Sequence, residues 1–343
     1  MSLHVLAVTL GDPAGIGPEI VAKTLATPHE QGLGVAVGDV AVLRRAVEIC
    51  ALDVDVRVVD RFADARPEPG VVHCVDIGIL EEPPTPGVID AAAGRSAVTA
   101  IEVACRAAVD EQVAGIVTAP INKEAIWAAG SKHLGHTEML GELTGSSRPT
   151  TMFVVHDLSI FFTTRHQGLR EALDRIDTRS VQTAIRESWI ALQLLGHESP
   201  RLAVAAINPH GGEGGTFGRE EIDILEPACE AARAAGMDVY GPIPADAVFH
   251  QGVQGRFDGV LSHFHDQGHI AAKTLDFEGA ITVTMGLPIL RTSVDHGTAF
   301  DIAGTAKASH RGMSVAFDAG VRYAPRARRF REVYGGQGMT ESP

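Results

Sequence analysis

The strongest constraint on this chain is a repeated succession of a short, wholly apolar run, a Gly- or Pro-bearing loop and a longer segment of helical periodicity. "HVLAVTL" leads through "GDPAGIG" into a helix expected from about Pro18, and "GVAVGD" leads into "AVLRRAVEICA". "AGRSAVTAIEVACRAAVDEQ" is an Ala-rich helix followed by the strand "GIVTAP". "RLAVAAI", "FDGVLS" and "AITVTM" read as further strands, and "EEIDILEPACEAARAAG" as a further helix. Runs apolar at successive positions are covered on both faces, and parallel neighbours need a crossover helix between them. The expected fold is therefore α/β, a largely parallel sheet with helices on both faces. One segment departs: in "TMFVVHDLSIFFTT" two β-branched and aromatic runs flank His156-Asp157, which predicts an antiparallel hairpin. The tail "RYAPRARRFREVYGGQGMTESP" turns polar and Gly-rich, so its last residues are expected to fray.

Composition bounds the partners. A length of 343 residues accommodates two α/β lobes. The formal charge is −14 with no basic block, so the whole-protein field repels a nucleic-acid backbone and no nucleic-acid partner is expected. Cys50, Cys74, Cys105 and Cys229 are scattered without a CxxC pair and read as reduced thiols, hence a cytoplasmic protein. The N-terminus lacks a basic n-region, and no apolar run reaches membrane-spanning length, so neither a signal peptide nor a membrane partner is expected.

The polar clusters fall where open α/β sheets bind ligands, beyond the carboxyl ends of strands. "FFTTRHQGLRE" places His166 after one strand, "VAAINPHGGEGGTFGREE" places His210 after another, and "GVLSHFHDQGH" places His265 after a third. Three imidazoles from three strand ends can converge on a divalent ion. His263 and His269 share the run with His265, and spacing does not choose among them. "TLGDPAGIGPEI" could turn free N–H groups towards an anion or could be a tight turn capping a helix. It is neither a Walker A motif nor the dinucleotide fingerprint. "GHTEML" puts His136 and Thr137 at a helix start, with Thr137 the expected N-cap. Lys273 in "AAKTLDF" and Arg291 in "LPILRTS" lie beside apolar runs, where an unpartnered charge is costly.

With "SVDHGTAFDIAG" added to "TLGDPAGIGPEI", "TAPINKEAI", "GHTEML", "INPHGGEGGTFGREE", "GPIPADAVF" and "HDQGH", the chain resembles the 4-hydroxythreonine-4-phosphate dehydrogenase family over nearly its whole length. The resemblance implies an isocitrate/isopropylmalate dehydrogenase-like α/β/α fold of two lobes with a cleft. The first lobe is drawn at residues 1–125 plus 300–343. The second, at 126–299, carries the metal ligands and the contacts of a homodimer whose active sites lie at the subunit interface.

The resemblance also implies His166, His210 and His265 as metal ligands, with Zn²⁺ expected first and Mg²⁺ or Co²⁺ as alternatives. His136, Thr137, Lys273, Thr282 and Arg291 fall on substrate-binding positions, and Lys273 and Asp246 are the catalytic candidates. Gly286, Asp295, His296, Gly297, Thr298, Ala299, Asp301 and Ile302 lie in the implied NAD-binding loop, with NADP the alternative. Asp266 and His269 are placed in support of His265, and His263 facing water or the dimer partner. The implied reaction is NAD-linked oxidation of a 4-phosphorylated 3-hydroxy acid followed by decarboxylation, in the pathway to pyridoxal phosphate.

Three departures bear on the substrate. Thr282 stands where the family has an Asn, with fewer hydrogen-bonding groups and less reach. "SHFHDQGH" replaces a Met-Tyr-His run, and Arg165 precedes His166. The implied alternatives are 4-phospho-D-threonate or 4-phospho-D-erythronate, or a dihydrodiol acid.

Overall fold

The computed structural model describes residues 3–335, and its first half follows the expected alternation. In order come β1 (His4–Thr9), α1 (Gly17–Leu25), β2 (Gly32–Gly38), α2 (Val40–Ile49), β3 (Asp55–Val58) and β4 (Val71–Asp76). They are followed by α3 (Ala91–Val109), β5 (Gly115–Thr118), α4 (Lys123–Ala128) and α5 (His136–Thr144). A second unit, from Met152 to Ala280, holds β6 (Thr150–Val155, begun at the boundary), β7 (Leu158–Phe162), α6 (Leu169–Asp174), α7 (Thr178–Leu195) and β8 (Leu202–Ala205). It continues with α8 (Glu226–Ala234), β9 (Val239–Ile243), α9 (Ala245–Val253), β10 (Gly259–Ser262) and α10 (His265–Leu275). The chain then re-enters the first unit through β11 (Ile281–Met285), β12 (Arg291–Val294), α11 (Arg311–Tyr323) and α12 (Ala327–Tyr334).

In the first unit the strands run β3-β4-β2-β1-β5-β12-β11, parallel except for β11 against β12. Ala7, Val35, Val37 and Ile116 pack on Ala97, Ala100, Ile101 and Ala104 of α3. Alternate residues of the same strands point the other way, and Leu6, Val117 and Thr292 meet α11 at Gly320. Thr292 Oγ1 fastens that helix by donating to the Ala316 carbonyl at 2.7 Å. Both faces are thus covered, which is why these strands read as unbroken apolar runs.

In the second unit the order is β6-β7-β10-β8-β9, with β6 and β7 forming the antiparallel hairpin and the rest parallel. Val155 pairs with Leu158, leaving His156 and Asp157 as the two-residue turn. One core gathers Phe153, Val155, Leu158, Ile160, Ala203, Ala205, Val260 and Ala272. This topology sets the carboxyl ends of β7, β10 and β8 side by side.

The lobe boundaries drawn from sequence differ from this division. Residues 126–151 and 281–299 pack in the first unit, because β12 pairs with β5 (Arg291 opposite Ile116) and Met139 and Leu140 of α5 join the α3 core. Much of the polar tail is helical in α11 and α12, and the fraying expected at 336–343 lies outside the described residues. Among the described residues no helix is long and apolar enough to cross a membrane.

Candidate active site

In the second unit, three adjacent strand ends each deliver a histidine. Parallel neighbours lie about 4.8 Å apart, so β7, β10 and β8 set the stretches bearing His166, His265 and His210 next to one another. The rings of His166 and His265 stand 5.7 Å apart between centroids, tilted by 53°. Nδ1 of His265 is 2.7 Å from Asp266 Oδ1 and donates to it, which leaves the lone pair on Nε2. His269, one turn on, stacks on His265 at 3.7 Å and donates from Nδ1 to the His265 carbonyl at 2.8 Å. Phe153 and Phe162 flank the His269 ring. Asp266 and His269 therefore brace His265.

His210 is exposed in the turn Pro209–Gly215 and takes a left-handed conformation, φ 53° and ψ 28°. A non-glycine residue there is uncommon and strained. The turn is pinned by buried Glu221, whose Oε1 accepts from the N–H groups of Ile207 (2.8 Å) and Asn208 (2.7 Å). Burial works to raise the Glu221 pKa, but hydrogen bonds from Asn208 and Ile207 outweigh it and hold the carboxyl below its ordinary value. Among the described residues, no three His, Cys, Asp or Glu side chains close into a metal shell. The structure thus brings His166 and His265 together, with His210 on the neighbouring strand end. Imidazoles are donors of the kind a divalent ion takes.

His263 is a correction. It faces neither water nor a partner: it is fully buried, and burial pushes its pKa down to about 4 despite the Ala205 carbonyl that its ring hydrogen-bonds.

The first unit holds a different kind of site. Arg291 opens β12 with 5% of its surface exposed. Its Nε and one terminal nitrogen donate to Thr118 Oγ1 (3.1 and 2.8 Å), and the other donates to Thr284 Oγ1 at 2.7 Å. It makes no ion pair among the described residues, and burial pushes the guanidinium down to about 10, with Glu138 acting the other way. His136, the first residue of α5, has a buried Nε2 without a hydrogen-bond partner. Burial, and then the Arg291 charge, hold its pKa far below the ordinary value. A dehydrated guanidinium bonded only to neutral hydroxyls, near an imidazole with an unused nitrogen at a helix start, calls for an anion. Thr137 is the second residue of that helix, and the N-cap is Gly135 rather than Thr137. Thr282, 6% exposed, donates to the Ser293 carbonyl at 3.3 Å.

The loop beyond β12 is held by α1 and the residues before it. The Thr298 carbonyl accepts from Ile16 N–H at 3.0 Å, and Gly15 approaches so closely that a Cβ would fall 2.9 Å from Thr298 Cβ. Glu19 accepts from Gly304 N–H at 2.6 Å, and Lys23 donates to the carbonyls of Ala306 (2.7 Å) and Ala308 (2.8 Å). Within the loop, His296 Nδ1 donates to the Gly297 carbonyl at 3.0 Å, Ile302 N–H to Ala299 O at 3.1 Å, and Ala299 has φ 40°. His296, Gly297 and Asp301 are exposed, and Asp295 is half-buried. Gly286, at φ 80°, lies apart from this loop, and Ser146 donates to its carbonyl.

Of the two readings of "TLGDPAGIGPEI", the anion cradle fails. The N–H groups of Asp12, Ala14, Gly15 and Ile16 are engaged by Pro120 O, Asp12 Oδ1, Asp12 O and Thr298 O respectively. The buried carboxyls of Asp12 and Glu19 would also repel a phosphate. Lys273 lies in the last turn of α10 with Nζ 4.9 Å over the Phe277 ring, and Asp246 is exposed in the first turn of α9.

Comparison with known proteins resolves the lineage. The family model described as pyridoxal phosphate biosynthetic protein PdxA matches residues 31–319. The chain belongs to the PdxA family. A relative of this PdxA-family chain from Cutibacterium acnes, provisionally named D-threonate 4-phosphate dehydrogenase, is 50% identical over 333 residues and 96% of both chains. D-threonate 4-phosphate dehydrogenase of Pectobacterium atrosepticum is 43% identical, covering 93% of this chain and 99% of its own. The crystal structure of 4-hydroxythreonine-4-phosphate dehydrogenase from Klebsiella pneumoniae superposes with a TM-score of 0.87 at 40% identity, covering 94% of this chain and 98% of that one. PdxA membership and the α/β fold therefore stand together with a dehydrogenase lineage.

Sequence reasoning missed several residues of this PdxA-family site. Thr118 and Thr284, which hold Arg291, read as strand residues, and their only signal is a hydroxyl inside an apolar run. Glu19 and Lys23 carry no signal beyond being charges in the helix expected from about Pro18.

Proposed function

We propose that the chain catalyses the NAD-linked, metal-dependent oxidation and decarboxylation of a 4-phosphorylated 3-hydroxy acid. D-threonate 4-phosphate comes ahead of 4-hydroxythreonine 4-phosphate. The observation that carries the reading is the buried Arg291 guanidinium, bonded to hydroxyls and in no ion pair among the described residues, together with the unpartnered Nε2 of His136. The planar guanidinium suits a phosphate or a carboxylate, and His136, Thr137 and Arg291 would hold one of them. The preference for the threonate rests on the names of the two curated relatives and on Thr282.

His166, His210 and His265 would hold a divalent ion, and the loop from Asp295 to Ile302 would hold the nicotinamide cofactor. When bound, the ion supplies Lewis-acid polarisation of a hydroxyl and then of a ketone, and NAD accepts the hydride. The chain's own residues would do the rest. Lys273 takes the proton of the C3 hydroxyl as the C3 hydride departs, leaving a 3-oxo acid. The C1–C2 bond then breaks, its electrons passing into the C2–C3 enolate as CO₂ leaves, and a proton returned to C2 restores the C3 ketone. Asp246 is the second candidate for proton transfer. Exposed Ile270 (64%) and Phe277 (71%), on and just after α10, support a homodimer. Free, largely buried cysteines support a cytoplasmic setting.

The test is to supply D-threonate 4-phosphate, 4-hydroxythreonine 4-phosphate and D-erythronate 4-phosphate separately with NAD and Zn²⁺, Co²⁺ or Mg²⁺. NADH and CO₂ should appear in equal amounts, fastest with the threonate. No NADH from any combination would overturn the proposal.

A further inference from the structure

The histidine expected to face water or the dimer partner instead links all three strand ends. His263 follows β10 and is fully buried. Its Nε2 lies 2.7 Å from the Ala205 carbonyl at the end of β8. A carbonyl only accepts, so Nε2 carries the proton. Nδ1 is then the acceptor for Thr163 Oγ1, 3.2 Å away and just beyond β7. The backbone of the same residue is used as fully. Its carbonyl accepts from Thr164 Oγ1 at 2.8 Å and from Thr164 N–H at 3.1 Å. Its N–H donates to Gln267 Oε1 at 2.8 Å, and Gln267 Nε2 donates to the Ala206 carbonyl at 2.7 Å.

Every one of these bonds ends beside a proposed ligand. Thr163 and Thr164 lead into His166, Ala205 and Ala206 lead into the turn of His210, and Gln267 belongs to the first turns of the helix opened by His265. We propose that His263 is a positioning residue: it ties the ends of β7, β8 and β10 into one frame that fixes where His166, His210 and His265 are presented to a divalent ion. This inference rests on the three-histidine reading above. Strand pairing fixes the strands but stops at Phe162 and Ser262, and these bonds extend the order past the last paired residues. Side chains that orient ligands in this way commonly change metal affinity by about 10- to 100-fold.

The experiment is a Co²⁺ titration of the full chain, read by calorimetry and by the visible absorption of the bound ion, on wild type, His265→Ala, His263→Met, His263→Gln and Gln267→Met. Glutamine can still donate to the Ala205 carbonyl, whereas methionine cannot. His263→Met should bind about 10- to 100-fold more weakly with an altered spectrum, and His263→Gln should return to within about threefold of wild type. If His263→Met does not fold, Gln267→Met carries the test, with about a tenfold loss expected. Wild-type affinity and spectrum in the folded methionine variant (or in Gln267→Met, should it stand in) would overturn the role of His263 and leave the three-histidine reading intact. Failure of wild type to take up Co²⁺, or uptake by His265→Ala equal to wild type, would overturn that reading and this inference with it.

Discussion

Asp266 accepts a hydrogen bond from Nδ1 of His265 at 2.7 Å, so a carboxylate sets the tautomer of the ring that stands closest to His166. An imidazole held this way would be a better donor to a metal ion. Replacing Asp266 with Asn should weaken Zn²⁺ binding about tenfold in competition with a chromogenic chelator. Both side chains are substantially exposed, so the melting temperature of the metal-free variant should hardly move. Equal Zn²⁺ affinity in the two proteins would remove Asp266 from the site.

The anion proposed for Arg291 can be sought without knowing the substrate. A ligand that binds only the folded state raises stability in proportion to RT ln(1 + [L]/Kd). Inorganic phosphate should therefore raise the melting temperature of wild type progressively, and Arg291→Met should lose that response. Its own stability without phosphate should be close to wild type, because burial opposes the charge that the substitution removes. A phosphate response that survives in Arg291→Met would place the anion elsewhere.

Asp12 gives the clearest pH prediction. Burial raises its pKa from 3.8 to about 6, with Asp90 adding to the rise and hydrogen bonds from Ala14 and Asn122 opposing it. The folded pKa is above the unfolded one, so the contribution of Asp12 is fully present below about pH 4 and is lost as pH rises through 6. The shift corresponds to at most about 3 kcal/mol. Asp12→Asn keeps the acceptor for Ala14 N–H and removes the charge. It should be more stable than wild type at pH 8, with the gain fading to nothing by pH 4. Denaturant midpoints at both pH values would show it, and a gain independent of pH would refute the assignment.

Much of this architecture was legible because β1, β2, β5, β8, β10 and β11 are buried on both faces and so appear as apolar runs. Three of the four strands left unread have identifiable reasons. β3 lies at the sheet edge with most of its residues exposed, and β9 is an edge strand carrying Pro242. β12 reads "RTSV", polar in its first three residues, yet every residue is buried because those polar groups bond to Thr118, Thr284 and the Ala316 carbonyl. The same distinction runs through the site. His166 and His265 stood out as polar residues after apolar strands. Within "SHFHDQGH", though, nothing in the spacing distinguishes the fully buried His263 from the half-exposed His265, since depth is set by neighbouring strands. Arg291 announced itself as a charge beside an apolar run, whereas the hydroxyls that hold it did not.

Lys23 and Glu19 tie α1 to the segment just after the loop proposed to hold the nicotinamide, through Ala306, Ala308 and Gly304. Lys23→Met removes two charge-assisted hydrogen bonds to the segment that follows the loop. The KM for NAD should rise severalfold, and about tenfold is expected if both bonds order the loop before binding. Metal affinity should be unchanged, since the histidines belong to the other unit. A rise in the substrate KM without one for NAD would assign this loop to the substrate instead.

Thr282 offers the sharpest test of substrate choice. It sits opposite Ser293 in the β11–β12 ladder, and its hydroxyl is occupied by the Ser293 carbonyl. Its one short polar group is therefore turned to the protein, leaving little reach for a substituent at substrate C2. A carboxamide is longer and carries both donors and an acceptor. Thr282→Asn should move the ratio of kcat/KM towards 4-hydroxythreonine 4-phosphate and away from D-threonate 4-phosphate. One added hydrogen bond to a charged amino group is worth about 1.5–3 kcal/mol, a change of about 10- to 100-fold. Because Thr282 is 6% exposed and the replacement is larger, some loss of stability should accompany the shift. The ratio of kcat/KM is the measurement that isolates specificity from that loss, since an inactive fraction lowers both values equally. An unchanged ratio would mean that position 282 does not sense the C2 substituent.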